Sequence, residues 1–461
     1  MKPAAGTTGL CGCVRSKRLA ILFVGVALGY ARPQGPVSSS GEPVIRTDVR
    51  QVVVPVVVLD RQSHHVSGLK ASDFQILEDG RYQRIVAFET DTAVNPLQRV
   101  ISSTPVPVSG SHDSPRAVST GASGKATLDA ARRTYLILVD TLHSSFASFN
   151  RIRDALGRFF DGEKAGDSQY ALIALGRQTR IVQDSTSDPA AIMTAVRSKA
   201  FFKLIQDSES VNIYAAVEQF KPIVDAYCGV CRCGLPDAPT TCGDGLYKPQ
   251  VQGFLNITAE RTLALNREFL RELEGIVRAT ADMPTSRTIL FISDGFNRFP
   301  GRELYAILQG HGVREGVFTW NPRDTQTELD AVLKIATKYD VKFYTLDSRG
   351  LYSDASLPGS GFSAATNGSS RGVDSMIRST ARENTDALAE LAHQTGGIFY
   401  EHDNDLLKGI QQAFADGREY YSLAYVSDNK ALDGKYRQIE VKVRGGKWKV
   451  NAKAGYWATP D

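Results

Sequence analysis

The sequence predicts an α/β protein: a doubly wound, mostly parallel sheet inserted in a β-sandwich that the N- and C-terminal strands build together. Three observations predict it. Between residues 133 and 414, short apolar strands alternate with amphipathic helical stretches, the pattern of a parallel sheet crossed by helices. On either side of that region the patterning is strand alone, with too few strands at each end to close a domain unaided. A Ser/Pro/Gly-rich stretch without periodicity, residues 95–131, separates the first strands from the alternating region. At 461 residues, with 42% hydrophobic and 23% charged residues, the chain has material for two or three domains and is too evenly mixed for a disordered or collagen-like polymer.

Residues 1–31 have the order of a secretory signal. Lys2, Arg15, Lys17 and Arg18 occur there without an acid, the apolar run Leu19 to Leu28 follows, and Gly29-Tyr30-Ala31 supplies small residues for cleavage after Ala31. The competing reading is an uncleaved anchor, which would be the chain's only membrane contact. Cys11 and Cys13 precede the apolar run, so neither is a lipoprotein cysteine. The formal charge of +4 resides in this segment, and the rest of the chain is neutral. A nucleic-acid partner is therefore not expected. Both readings export the chain to the periplasm, the cell envelope or the medium.

Residues 32–94 begin as a polar linker and continue as strands. Val52–Val54 and Val56–Val58 flank Pro55, Phe74–Glu78 alternates, Glu78-Asp79-Gly80 turns, and Gln83–Phe88 has period two. His64-His65 falls in a solvated turn. Residues 132–417 carry strands at Arg133–Val139, Tyr170–Leu175, Arg287–Ser293, Val341–Leu346 and Ile398–Tyr400. The first is a continuous apolar run, as expected for a strand buried on both faces. Helices are expected at Phe146–Phe160, after the Asp188-Pro189 cap, and at Val211–Ile223, Thr258–Ala281, Gln326–Tyr339, Glu383–Gln394 and Asp405–Phe414. Residues 418–461 return to strands at Tyr420–Val426, Arg437–Arg444 and Trp448–Tyr456, with Asp433-Gly434 as a turn.

Two segments interrupt the alternation. A Cys-rich insertion, residues 226–250, holds Cys228, Cys231, Cys233 and Cys242 as C-x2-C-x-C-x8-C. Four thiolates at this spacing suit zinc in a reducing compartment, whereas export favours two disulfides that pin a surface loop. Three pairings are open. A Ser/Gly-rich loop spans residues 350–380.

In open parallel sheets, ligands bind where the strands' carboxyl ends meet helix amino ends. Two strands end there in aspartate: Val139-Asp140-Thr141-Leu142-His143-Ser144-Ser145 and Ile292-Ser293-Asp294-Gly295. Over residues 132–417 the sequence resembles the von Willebrand factor A fold, which carries D-x-S-x-S after its first strand, a Thr on a second loop and an Asp in a T/S-D-G motif. More narrowly, the mature chain resembles exported, acidobacterial-type proteins with a von Willebrand factor A-related domain. The shared marks are a "gL...DF.i.eDG" opening (Gly68-Leu69, Asp73 to Gly80), a "Y.L.Y" strand (Tyr421 to Tyr425) and a closing "v.a..GYW" (Val450 to Trp457).

The resemblance implies that Asp140, Ser144 and Asp294 hold Mg²⁺ (or Mn²⁺ or Ca²⁺), with a partner's carboxylate completing the coordination. The pattern is degenerate. Leu142 stands where the first Ser belongs, and Val211 stands where the Thr belongs in Ser210-Val211-Asn212-Ile213-Tyr214. Ser145 and Ser210 are auxiliary candidates, each one residue off register. The competing structural role is that Asp140 caps the following helix and Asp294 fixes a turn.

The expected function is a non-enzymatic, exported protein–protein interaction or adhesion module with a protein ligand. One alternative is a secreted hydrolase using Ser370 or Ser144, for which His143 is the base nearest the aspartate edge. The G-x-S-x-G match Gly368-Ser369-Ser370-Arg371-Gly372 lacks the strand–turn–helix context of a nucleophile elbow. Another alternative is a structural envelope protein with a dead metal site. No H-E-x-x-H or Walker A sequence occurs, and His393 has no helical His partner.

Overall fold

A computed structural model describes residues 51–90, 133–166, 168–206, 213–236, 245–281, 283, 287–350, 370–401 and 403–459. The expected signal segment, the whole 95–131 linker, Ser210, Val211, Cys242 and Ser369 lie outside the described residues.

The first described segment forms β1 (Gln51–Leu59), β2 (Phe74–Glu78), β3 (Arg81–Gln83) and β4 (Ile85–Thr90). The two valine runs around Pro55 are one strand, because proline removes a single ladder donor while its φ stays compatible with extended backbone.

The alternating region runs β5 (Arg133–Asp140), α1 (Phe146–Gly162), β6 (Ser168–Leu175), β7 (Arg180–Thr186), α2 (Pro189–Arg197), α3 (Lys199–Gln206), α4 (Ile213–Cys231) and α5 (Tyr247–Ala279). It continues with β8 (Arg287–Ser293), α6 (Arg302–Gly310), α7 (Gln326–Lys338), β9 (Val341–Asp347), α8 (Ser370–Thr395), β10 (Phe399–Tyr400) and α9 (Leu406–Asp416). Its six strands lie in the order β10-β9-β8-β5-β6-β7, all parallel except β7, which is antiparallel to β6. The link between β6 and β7, residues 176–179, is too short for a crossover, so a hairpin is forced. The sequence pattern missed β7 because it is an edge strand with a polar, mostly exposed surface.

Alternation along β5 divides the core. Tyr135, Ile137 and Val139 pack against α1, α2 and α9, while Leu136 and Leu138 pack against α5, α7 and α8. Asp188 caps α2 through the Ala190 amide at 2.9 Å, as its sequence position predicts.

The Cys-rich insertion is more helical than expected. α4 continues to Cys231 and α5 begins at Tyr247, and together with α6 they enclose a separate core of Phe220, Val224, Leu255, Leu304 and Ile307. Cys228 and Cys233 form a disulfide with Cα atoms 4.9 Å apart, and Cys231 is also disulfide-bonded.

The chain closes with β11 (Tyr421–Val426), β12 (Tyr436–Val443), β13 (Lys449–Ala452) and β14 (Gly455–Trp457). They pair with the first strands in two four-stranded sheets, β13-β1-β11-β4 and β14-β12-β2-β3. One core, including Val54, Val56, Phe74, Ile76, Leu423 and Ile439, draws on both sheets. The expected strand Trp448–Tyr456 is thus two strands, because the chain passes from one sheet to the other at Lys453-Ala454. Among the described residues, no helix is long and apolar enough to cross a membrane.

Candidate functional site

β5, β8 and β9 are parallel neighbours in register, so their carboxyl ends emerge side by side. This places Asp140, the Ser293-Asp294 pair and the Asp347-Ser348 pair on one edge. All five residues are at most 9% exposed. Gly295 follows with a φ of +82°, and any side chain there would collide with the Asn384 carbonyl. That carbonyl accepts from the Phe296 amide at 2.9 Å, which ties α8 to the edge.

The Asp140 carboxylate meets four donors. Oδ1 accepts from the backbone N–H groups of Leu142 and His143, both at 2.9 Å. Oδ2 accepts from Ser293 Oγ at 2.5 Å and from His143 Nδ1 at 2.9 Å. Asp294 is braced similarly: Oδ2 accepts from the Ser145 amide at 2.8 Å and Ser148 Oγ at 2.9 Å, and Oδ1 from Ser348 Oγ at 2.7 Å. Burial raises the Asp294 carboxyl above the usual range, and these three donors pull it back only in part. The helix-capping role expected of Asp140 falls to Ser145, whose Oγ accepts from the Ser148 amide at 3.1 Å. Asp140 instead fixes the turn that leaves β5.

His143 is 5% exposed and held at both ring nitrogens, by Asp140 and by Asn266 Oδ1 at 3.0 Å. Asn266 Nδ2 donates to the Asn297 carbonyl at 2.8 Å, which turns its oxygen toward the imidazole. Both ring nitrogens therefore donate. Burial alone would lower the His143 pKa, but the charge and hydrogen bond of Asp140, with Asn266 and the charge of Asp294, raise it. A third aspartate, Asp347, is paired bidentately with Arg349 at 2.8 and 2.9 Å. Arg151 donates to the Ser348 carbonyl at 2.8 and 3.0 Å and to Ser148 Oγ at 3.1 Å, bridging the β5 and β9 loops.

The donor set implied by the family resemblance does not fit a directly coordinated divalent cation. Mg²⁺ requires free oxygen lone pairs about 2.0–2.1 Å away, and the four positions of the Asp140 carboxylate are all engaged. Leu142 is fully buried in the apolar core instead of facing the edge. Both Asp294 oxygens also accept hydrogen bonds, from the Ser145 amide, Ser148 Oγ and Ser348 Oγ. Among the described residues Ser144 Oγ is buried without a hydrogen-bond partner. Among the described residues, no group of three or more His, Cys, Asp or Glu is arranged to hold a metal ion.

Ser144, Asp140 and Asp294 thus come together at one edge, with Ser145 beside them. The sequence analysis missed the hydroxyls of Ser148, Ser293 and Ser348, the Asn266 brace, and the Asp347–Arg349 pair. One signal for the last was available, since β9 also ends in an aspartate. His65, expected in a solvated turn, is 13% exposed and reaches Asp416 at 2.8 Å; its neighbour His64 is exposed as expected.

No protein-family model matches the chain, and no curated protein matches it. Among solved structures it is similar to conserved hypothetical protein BatB from Bacteroides thetaiotaomicron, at 13% identity over 62% of this chain and 98% of that one, with a TM-score of 0.27. It is also similar to an aerotolerance-related membrane protein from Bacteroides fragilis, at 14% identity over 61% and 98% of the two chains, with a TM-score of 0.26. A von Willebrand factor type A protein from Catenulispora acidiphila matches at 8% identity over 71% and 66%, with a TM-score of 0.27.

Proposed function

We propose that the chain is an exported, non-enzymatic protein-interaction module. In this reading a von Willebrand factor A-type sheet is inserted in a β-sandwich built by both chain ends, and its carboxyl edge meets a protein partner. The observation that carries the reading is the bracing of loops from β5, β8 and β9 into one rim by Asp140 and Asp294. A prefixed rim lowers the ordering cost of association. Phe146 projects beside it, 52% exposed, as the kind of aromatic anchor that interfaces favour. The rim's charge is balanced within the chain, Asp140 by His143 and Asp347 by Arg349, so the partner docks without a bridging Mg²⁺, Mn²⁺ or Ca²⁺. Export is supported by the Cys228–Cys233 disulfide. The hydrolase reading has less support, because both ring nitrogens of His143 are committed away from Ser144.

The test is capture from envelope extract on the immobilised chain, in Mg²⁺ and in EDTA, with Phe146→Ala alongside. The expected result is one partner retained equally in both buffers and lost with Phe146→Ala. Capture that requires Mg²⁺ would return the cation to the rim. Labelling of a serine by a fluorophosphonate probe would replace the module with a hydrolase.

A further inference from the structure

We propose that a groove along α1 receives an extended acidic segment of the partner protein; the proposal rests on the interaction reading above and names the partner's chemistry. A cleft of about 280 Å³ lies between α1 and α2, lined by Asn150, Arg153, Asp154, Gly157, Arg158 and Arg197. Positions 146, 150, 153 and 157 recur at helical spacing, so the cleft shares one face of α1 with Phe146 at the rim. The groove therefore has an aromatic end and a cationic end.

At the aromatic end, Phe146 meets Phe202 edge-on at 5.5 Å, and the Arg153 guanidinium lies 5.3 Å from the Phe202 ring centre. Arg153 is fixed by donating Nε to the Val196 carbonyl at 3.1 Å and Nη2 to the Arg197 carbonyl at 3.4 Å. Arg158 is paired with Asp154 at 3.0 Å and Asp405 at 3.4 Å. Arg197 has neither an ion pair nor a hydrogen bond from its side chain among the described residues. Gly157 keeps the floor open, with its Cβ position 3.8 Å from the Arg197 guanidinium.

Three guanidiniums thus face one lining carboxylate. A partner carboxylate entering the cleft gains charge-assisted hydrogen bonds to a free Arg197 fork. Outside residues 1–31 the chain carries equal numbers of acidic and basic residues, so the positive potential is local. A short acidic segment matches that extent; a long polyanion does not.

The probe is a fluorescein-labelled decapeptide of glutamates with one central tyrosine, titrated with the full chain and followed by anisotropy at low salt. The expected result is salt-sensitive binding that weakens at least tenfold in Arg197→Glu. Gly157→Met should weaken it several-fold by filling the cleft, with an unchanged or higher Tm because the helix interior accommodates the side chain. Arg323→Glu, which breaks an exposed pair with Glu260 elsewhere, should leave affinity within twofold. No peptide binding by the wild type, undiminished affinity in Arg197→Glu and Gly157→Met, or equal loss in Arg323→Glu would overturn the proposal. Retained partner capture on the rim alongside such a failure would leave the module reading intact.

Discussion

Asp140, where β5 ends, and Asp416, where α9 runs toward β11, are both fully buried, yet the chain satisfies them differently. Asp140 accepts from two amides, a hydroxyl and an imidazole. Asp416 Oδ1 accepts from Gln412 Nε2 at 2.8 Å and forms an ion pair with His65 Nε2 at 2.8 Å, while among the described residues its Oδ2 has no hydrogen-bond partner. Among the described residues the nearby hydroxyls of Tyr344 and Tyr400 are also buried without hydrogen-bond partners; burial raises both phenols, and the Asp416 charge adds to it. In a low-dielectric interior, a fully satisfied network fixes geometry, whereas a partly satisfied one leaves stability dependent on protonation. The first region is built to hold a shape. The second, which joins the β1–β2 loop to α9, is built to respond.

The largest effect should come from breaking the satisfied network. Asp140→Ala strands four donors and leaves His143 without its counter-charge, so urea unfolding should show a loss of about 3–5 kcal/mol. A loss under 1 kcal/mol would mean that the edge is not rigidly coupled.

Glu303, in the first turn of α6, sharpens the comparison. It is buried, Asn297 Nδ2 donates to one oxygen, and among the described residues the other oxygen has no hydrogen-bond partner. Burial pushes its carboxyl up to about 7, against the lowering by its backbone and Asn297. A folded pKa above the unfolded value means the proton binds the native state more tightly. Its contribution to stability should therefore be complete below about 4.5 and be lost as pH rises through about 7, by about 3 kcal/mol. Glu303→Gln should flatten that part of the urea-midpoint profile, and an identical slope in the variant would assign the dependence elsewhere.

The smallest effect belongs to the junction. Contact with Asp416 raises the His65 pKa despite partial burial, and the charges of Asp416 and Glu419 add to it. This contribution is complete below the unfolded pKa near 6.5 and is lost as pH rises through the higher folded value. His65→Ala should cost about 1–3 kcal/mol at pH 5.5 and less at pH 9. A cost that grows with pH would show that His65 is held for packing instead of charge.

Sequence by itself determined the alternation of strands and helices, the pairing of the two chain ends in strand patterning, the Asp188 cap and the two aspartates closing β5 and β8. Each of these is written in local periodicity or in a residue type at a chain turn. Tertiary structure alone decided what those aspartates do. The hydroxyls that saturate them come from Ser148, Ser293 and Ser348, and the link that brings His65 to Asp416 spans 351 positions. The strand register of the folded sheet, not spacing along the chain, sets those meetings. The same holds for β7, whose polar edge has no signature apart from the strand it pairs with, and for Arg197, whose free guanidinium has meaning only beside Gly157 on the facing helix.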